Sequence, residues 1–296
     1  MQRIAYYFAY PILWIVSILP FPIFYFVSDC IKVIIYNIIG YRKKTVRSNI
    51  ELAFPNLSKK ERLAIEKKSY RHLCDMFMEM VKTMTISKKE IQKRFRFTNL
   101  DLFEEYEDKG KSIILFYAHY ASWEWSVTLG TYIRFKGFGI YKRIKNPYFD
   151  HLMRSIRSRF DATLLDTKHT VKEVTENQNK GILGVYGFIS DQTPGGSSRA
   201  KYWDTFLGHE VPIHTGGEML ARHLDMNVLY MKVKKIKRGY YEATFIPITD
   251  NNIETLPEFE VSRRFIREVE KQIYEAPEYY FWTHKRWKFK RNKKKK

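Results

Sequence analysis

Residues 116–126 read FYAHYASWEWS, which sets His119 and Glu124 five positions apart among aromatic residues. They follow the β-branched apolar run Ser112-Ile113-Ile114-Leu115-Phe116. In an α/β domain the C-terminal end of a strand, where the chain turns into a helix, is where sites collect. Trp123-Glu124 falls near the first turn of the following helix, so the glutamate is expected to fold back toward the imidazole. A carboxylate on one ring nitrogen fixes the tautomer and makes the other nitrogen a better base. Such a pair can take the proton of an alcohol as it attacks an acyl carbon, help typically worth about 10²–10⁴-fold. Elsewhere a His-x4-Glu spacing is more often a helix-start histidine that bonds nearby backbone. The buried strand before it is what favours chemistry here.

Two further segments carry candidate groups at strand ends. Tyr141-Lys142-Arg143-Ile144-Lys145-Asn146-Pro147-Tyr148 follows a second β-like run, Asn-Pro turns the chain, and Arg154, Arg157 and Arg159 come on the next helix. The arginine fork suits phosphates and developing oxyanions. Arg154 and Arg157 share a face while Arg159 points elsewhere, and a solvated charged face is the competing reading. Ser190-Asp191-Gln192-Thr193-Pro194-Gly195-Gly196 closes the run GILGVYGFI. It puts an acid and an amide at a strand end, although Asp near Pro-Gly commonly just shapes a turn. No phosphate-binding glycine loop and no Gly-x-Ser-x-Gly elbow occurs. His209-Glu210-Val211-Pro212-Ile213-His214 is one residue too long for the zinc pattern and contains proline, so its histidines cannot share a helix face, and no metal site is expected. Cys30 and Cys74 are isolated from other candidate groups, which fits a reducing compartment.

The elements that must position these groups are legible in outline. Phe54-Pro55-Asn56-Leu57-Ser58 breaks the chain, and Ser58-Lys59-Lys60-Glu61 is a capping-box pattern that starts a helix. Tyr70, Leu73, Cys74, Phe77, Val81 and Met84 then mark one apolar face. From about residue 110, β-like runs at Ile113–Phe116, Phe138–Tyr141, Ile182–Phe188, Val228–Val233 and Tyr241–Ile248 alternate with helical patterns at 122–134, 148–160, 170–178 and 216–225. A last amphipathic helix runs through about Val261–Tyr274. The expected fold is α/β, a mixed central sheet flanked by helices.

At the N-terminus, Ile4 to Ser28 carries no charge. That is about 25 residues, long enough to span a bilayer with tilt. Pro11, Pro20 and Pro22 bend any helix there, so a kinked span, a hairpin in one leaflet and an interfacial helix all fit. Basic residues crowd its C-terminal side (Lys32, Arg42, Lys43, Lys44, Arg47), which puts the following domain on the cytoplasmic face if the stretch spans. The organisation expected is a membrane-associated helical segment at 1–40, one catalytic domain at 41–290 and a basic tail at 291–296. The net charge of +20 attracts polyanions: anionic lipid, an acidic protein or nucleic acid. The uncharged N-terminal segment argues against nucleic acid as the partner. The mixture Trp282-Thr283-His284-Lys285-Arg286-Trp287-Lys288 suits a lipid interface, with rings at headgroup depth and cations on phosphates, and would equally suit stacking on nucleic acid.

Taken in order, these pieces resemble one family. FYAHYASWEW is similar to the His-x4-Asp/Glu box of the glycerolipid-type acyltransferases, and most closely to its His-x-x-Asn-Trp-Glu form in the lipid A biosynthesis acyltransferases. Tyr41-Arg42, Asn49 and Ala53-Phe54-Pro55 resemble the family's Arg…Asn…Ala-Phe-Pro stretch. Tyr141-Lys142-Arg143 with Asn146-Pro147 resembles its Tyr-Arg…Asn-Pro segment, Arg157-x-Arg159 its Arg-x-Arg step, and Ser190-Asp191-Gln192-x-Pro194 its Ala-Asp-Gln-x-Pro. Trp282…His284-x-Arg286-Trp287 resembles its closing motif. Ser122 departs from the Asn of that form, and Asp161 stands where Gly usually follows Arg-x-Arg. The resemblance implies a membrane-bound enzyme on the cytoplasmic face of the bacterial inner membrane. It would move an acyl chain from acyl carrier protein to a hydroxyl of a lipid A precursor, with no cofactor. His119 would be the base and Glu124 its partner. Arg157 would hold an oxyanion or sugar phosphate, and Arg143, Asn146, Asp191 and Gln192 would line the site. Another lysolipid, aminolipid or glycolipid acceptor, or a non-catalytic scaffold on anionic membrane, are the alternatives.

Overall fold

The computed structural model describes residues 2–195, 200–249 and 252–291. The uncharged N-terminal stretch is two helices rather than one. Helix α1 (Gln2–Ile18) stops before Pro20, and α2 (Phe21–Val33) starts with Pro22 in its first turn, where a missing N–H is tolerated. From Ile34 to Ile39 the helix widens into π geometry and ends on Gly40, whose φ of 65° suits the left-handed cap. Phe21–Ile39 is long and apolar enough to cross a membrane, with only 22% of its most apolar window buried. Ile4, Phe8, Ile12, Phe26, Ile38 and Ile39 are all well exposed, an apolar face that water alone does not favour.

Polar bonds seat these helices on the rest of the chain. Helix α3 (Lys43–Ala53) leads to α4 (Lys59–Lys82), which starts on the expected capping box at Ser58 and Glu61. Lys82, at the end of α4, donates to the carbonyls of Ser17 (2.7 Å) and Leu19 (2.6 Å), closing the C-terminal end of α1 with a cation. Asp29 on α2 and Asp75 on α4 share Arg238, and Ser28 donates to Asp75 at 2.8 Å.

After α5 (Lys88–Arg94), a seven-stranded sheet forms the core. Its strands are β1 (Phe95–Phe97), β2 (Ile113–Tyr117), β3 (Lys136–Tyr141), β4 (Ala162–Asp166), β5 (Gly184–Ile189), β8 (Asn227–Lys237) and β9 (Tyr240–Pro247), in the order β1-β9-β8-β2-β5-β3-β4. Within this sheet, among the described residues, β8–β9 is the one antiparallel pair. Helices α6 (Asp101–Asp108), α7 (Pro147–Arg157), α8 (Thr170–Asn179), α9 (Gly216–His223) and α10 (Glu260–Glu275) make the crossovers and flanks. A separate hairpin joins β6 (Tyr202–Phe206) to β7 (His209–Ile213). The expected mixed sheet with flanking helices is therefore present.

Several local expectations are corrected. The segment after His119 is a 3₁₀ helix, Trp123–Thr131, not an α-helix. Strands β1, β4, β6 and β7 were not anticipated, because they are short or carry few β-branched residues. The closing aromatic–cation segment is core, not a lipid interface: Trp282, Thr283, Arg286 and Trp287 are buried, and Asn49 holds the carbonyls of Trp282 and His284. The basic tail at 292–296 lies outside the described residues.

Candidate active site

Two adjacent strands build the centre. β2 and β5 run parallel, with Tyr117 opposite Ile189, so the residues two positions beyond them, His119 and Asp191, leave the sheet side by side. Asp191 Oδ1 lies 2.7 Å from His119 Nδ1 and also accepts the backbone N–H of His119 at 3.1 Å. Burial pushes the Asp191 carboxyl up. The His119 ring, its N–H and the charge of Arg286 outweigh that and hold it below the usual carboxylate range. An ionised carboxylate only accepts, so Nδ1 carries a proton, and in the neutral ring the lone pair is on Nε2. Nε2 makes no hydrogen bond among the described residues, and the side chain is 21% exposed. Trp123 meets the ring edge-on at 5.1 Å and Phe281 stacks on it at 5.8 Å, which fixes its plane.

The loop is clamped from behind. Ala121 sits at φ 51°, a left-handed conformation uncommon for a residue with a Cβ. Ala121 N–H donates to the Tyr279 carbonyl and Phe281 N–H to the His119 carbonyl, both at 3.0 Å. Thr193 N–H reaches His284 Nε2 at 3.4 Å, tying the Asp191 turn to the same C-terminal strap. Burial pushes His284 down to about 4, so it stays neutral and can accept that bond. Arg286 is fully buried; its Nη1 donates to the Pro212 carbonyl at 3.3 Å, and its guanidinium lies over the Phe206 ring.

The expected pairing of Glu124 with His119 is not the one formed. The 3₁₀ turn carries Glu124 toward α7, where Arg157 grips it with two bonds at 2.8 and 2.6 Å. Arg157 packs over the Tyr141 ring; burial works against its charge, and Glu124 more than restores it. Arg157 is thus an ion-pair partner at the site rather than a free anion hook. The other candidates divide. Asn146 caps α7, its side chain accepting from the N–H of Tyr148 and Phe149, so it shapes the turn rather than lining a site. Arg143 is mostly exposed and pairs with Asp166 at 2.8 Å, at the same sheet edge. Gln192 is half-buried beside Asp191. Asp161 adopts φ 62°, which accounts for a position where glycine is usual, since Asp tolerates the left-handed region better than most residues.

Sequence reasoning missed a largely apolar slot, with a cavity volume of about 50 Å³, between the 3₁₀ helix and the sheet. Its walls include Leu115, Leu129, Leu164 and Val185, and its width comes from Gly137, Gly139 and Gly187 on neighbouring strands. Leu115, Gly187, Gly139 and Leu164 form one register row across four strands. Tyr117 and Ser126 form the end of the slot next to Glu124 and Arg157. The signal was available in principle: glycines inside β-like runs mark places where something approaches the sheet closely.

A histidine with a buried carboxylate behind it, a neighbouring Arg–Glu pair and a largely apolar slot lie together at one edge of an α/β sheet. In the family comparison, residues 1–289 match the model of the bacterial lipid A biosynthesis acyltransferases, and the chain belongs to that family. It is 25% identical to an Escherichia coli lipid A biosynthesis lauroyltransferase over 282 residues, covering 94% of this chain and 89% of that one. A Haemophilus influenzae lipid A biosynthesis acyltransferase is 24% identical over 252 residues, 82% of this chain and 76% of the relative. An E. coli palmitoleoyltransferase of the same pathway is 25% identical over 295 residues, 95% and 90% respectively.

Proposed function

We propose that this acyltransferase moves a fatty acyl chain from acyl carrier protein to a hydroxyl of a lipid A precursor, as a secondary acylation at the cytoplasmic face of the inner membrane. The observation that carries the reading is the His119–Asp191 contact at 2.7 Å, with Nε2 left unbonded. Nε2 takes the proton of the acceptor hydroxyl as its oxygen attacks the thioester carbon. The tetrahedral oxyanion collapses, the C–S bond breaks, and the proton returns through His119 to the departing thiol. Asp191 holds the ring and stabilises the imidazolium. Glu124 and Arg157 act as a pair beside the Tyr117–Ser126 end of the slot, whose remaining walls are mostly aliphatic and suit an alkyl chain. The exposed apolar faces of α1 and α2 support membrane attachment, which brings a lipid acceptor to the base and replaces a free encounter by a positioned one. Acyl carrier proteins are acidic, and a net charge of +20 speeds their approach.

The test is acyl transfer by purified full-length protein from acyl carrier protein to a lipid A precursor, read by mass spectrometry. His119→Ala is expected to lose transfer while still binding vesicles. Transfer that persists in that variant overturns the reading, and an acyl gain only on another lysolipid or glycolipid moves it to that acceptor.

A further inference from the structure

Glu79 lies within α4, fully buried, and has no part in the chemistry above. Its two oxygens are held by different parts of the molecule. Tyr25 on α2 donates to Oε1 at 2.8 Å, and Ser122, three residues past His119, donates to Oε2 at 3.1 Å. Tyr241 on β9 bridges both oxygens, at 3.1 and 2.9 Å. The Glu79 backbone carbonyl accepts from Trp125 Nε1 at 3.1 Å. One acid therefore touches the N-terminal helices, the sheet and the segment that carries the candidate base.

The arrangement is demanding. A buried carboxylate has to be satisfied by donors, and here these are hydroxyls rather than a cation in contact. Asp75 on α4 and Lys235 on β8 are the charged groups that bear on it, with Tyr25 and Tyr241 the other titratable ones. Burial pushes Glu79 up to about 7, Asp75 adds to the rise, and Lys235 and the hydroxyls oppose it. Tyr25 and Ser122 each hold one oxygen and Tyr241 reaches both, so the three hydroxyls together fix the plane of the carboxylate. If α2 leaves its seat, Oε1 loses its Tyr25 donor and the carboxylate is held by Tyr241 and Ser122 alone, which loosens its orientation and with it the Ser122 bond. The neighbouring Ala121, strained at φ 51°, can then relax, and His119 moves with it.

We infer that Glu79 is a positioning residue that couples the seating of the N-terminal helix α2 to the geometry of the His119 loop. The inference rests on the reading of His119 as the base. It makes the enzyme responsive to whether its N-terminal helices are docked.

Tyr25→Phe, Ser122→Ala and the double variant, in the full-length protein, test it in two ways. In acyl transfer, each single variant should lower kcat about 5- to 10-fold with KM for the acyl donor unchanged. The double should be little worse than either, because both cut one linkage. In hydrogen–deuterium exchange, Tyr25→Phe should raise exchange in residues 118–125 although Tyr25 touches none of them in the hydrogen bonds above. Glu79→Gln should flatten the wild-type pH dependence of kcat near 7; should it fail to fold, the hydroxyl variants still decide. Singles whose effects multiply, or a Tyr25→Phe exchange pattern identical to wild type in 118–125, overturn the coupling. Wild-type protein without acyl transfer sinks the enzymatic reading instead, and the exchange arm still reports on Glu79.

Discussion

Asp191→Asn is the most informative single change. It keeps the shape of the side chain, which is almost wholly buried, and removes its charge from a position 2.7 Å from His119 Nδ1. In the mechanism proposed above, the ring becomes an imidazolium in the transition state. Two unit charges about 4 Å apart at an effective dielectric of about 20 are worth about 4 kcal/mol, or about a thousandfold in rate. The amide adds a second penalty. Its oxygen can take the place of Oδ1 and still accept both the backbone N–H and Nδ1–H of His119, but the neutral amide is a weaker acceptor for the ring, without changing its tautomer. The expected result is a loss of kcat of about 10³-fold, with KM for the acyl donor nearly unchanged and the far-ultraviolet spectrum intact. Acid unfolding gives an independent check. A carboxyl held below its ordinary 3.8 contributes stability above that value and loses it as pH falls through the folded value. The variant should therefore lack the part of the wild-type acid transition that lies below about pH 4. A folded variant that keeps transfer within about tenfold of wild type refutes the assignment, since general-base help is worth about 10²–10⁴-fold.

Other consequences can be measured directly. Arg157→Met strands Glu124, which is buried to 8% side-chain exposure, and should lower the melting free energy by about 3 kcal/mol as well as cut activity; Arg157→Lys, which cannot make the two-pronged contact, should restore only part. In Gly139→Val the new Cβ would lie 3.1 Å from Leu164 Cδ2, and in Gly187→Val 3.1 Å from the Tyr117 ring, so both should shift donor preference toward shorter acyl chains in a mixed-donor competition; an unchanged preference would place the chain elsewhere. Lys82→Met removes the cation from the Ser17 and Leu19 carbonyls and should loosen α1 by about 2 kcal/mol, read as faster proteolysis before residue 20. Because Glu79 is raised to about 7, its contribution to stability is full below its ordinary 4.5 and is lost as pH rises through 7, so Glu79→Gln should flatten the melting temperature between those values.

The sequence by itself determined the local pieces. The capping box at Ser58 and Glu61 starts α4 where expected, since its bonds join residues three apart. The β-branched run before His119 is a strand, and the histidine does stand at its C-terminal end. The in-order motifs from Tyr41 to Trp287 pointed to the family that residues 1–289 match.

Only the tertiary structure decided which groups meet. Asp191 lies 72 residues from His119, and its place beside the imidazole follows from β2 pairing with β5, a strand order that no local periodicity encodes. Glu124 looked like the natural partner because it is near in sequence. The 3₁₀ turn of three residues rather than 3.6 points it at Arg157 instead. The same reason separates the two readings of the closing aromatic–cation segment, whose composition fits a lipid interface and whose contacts bury it in the core. Side-chain type and spacing fix what a residue can do within a turn or two of chain. What it does here was set by contacts between strands and helices far apart in sequence, which a pattern along one dimension does not contain.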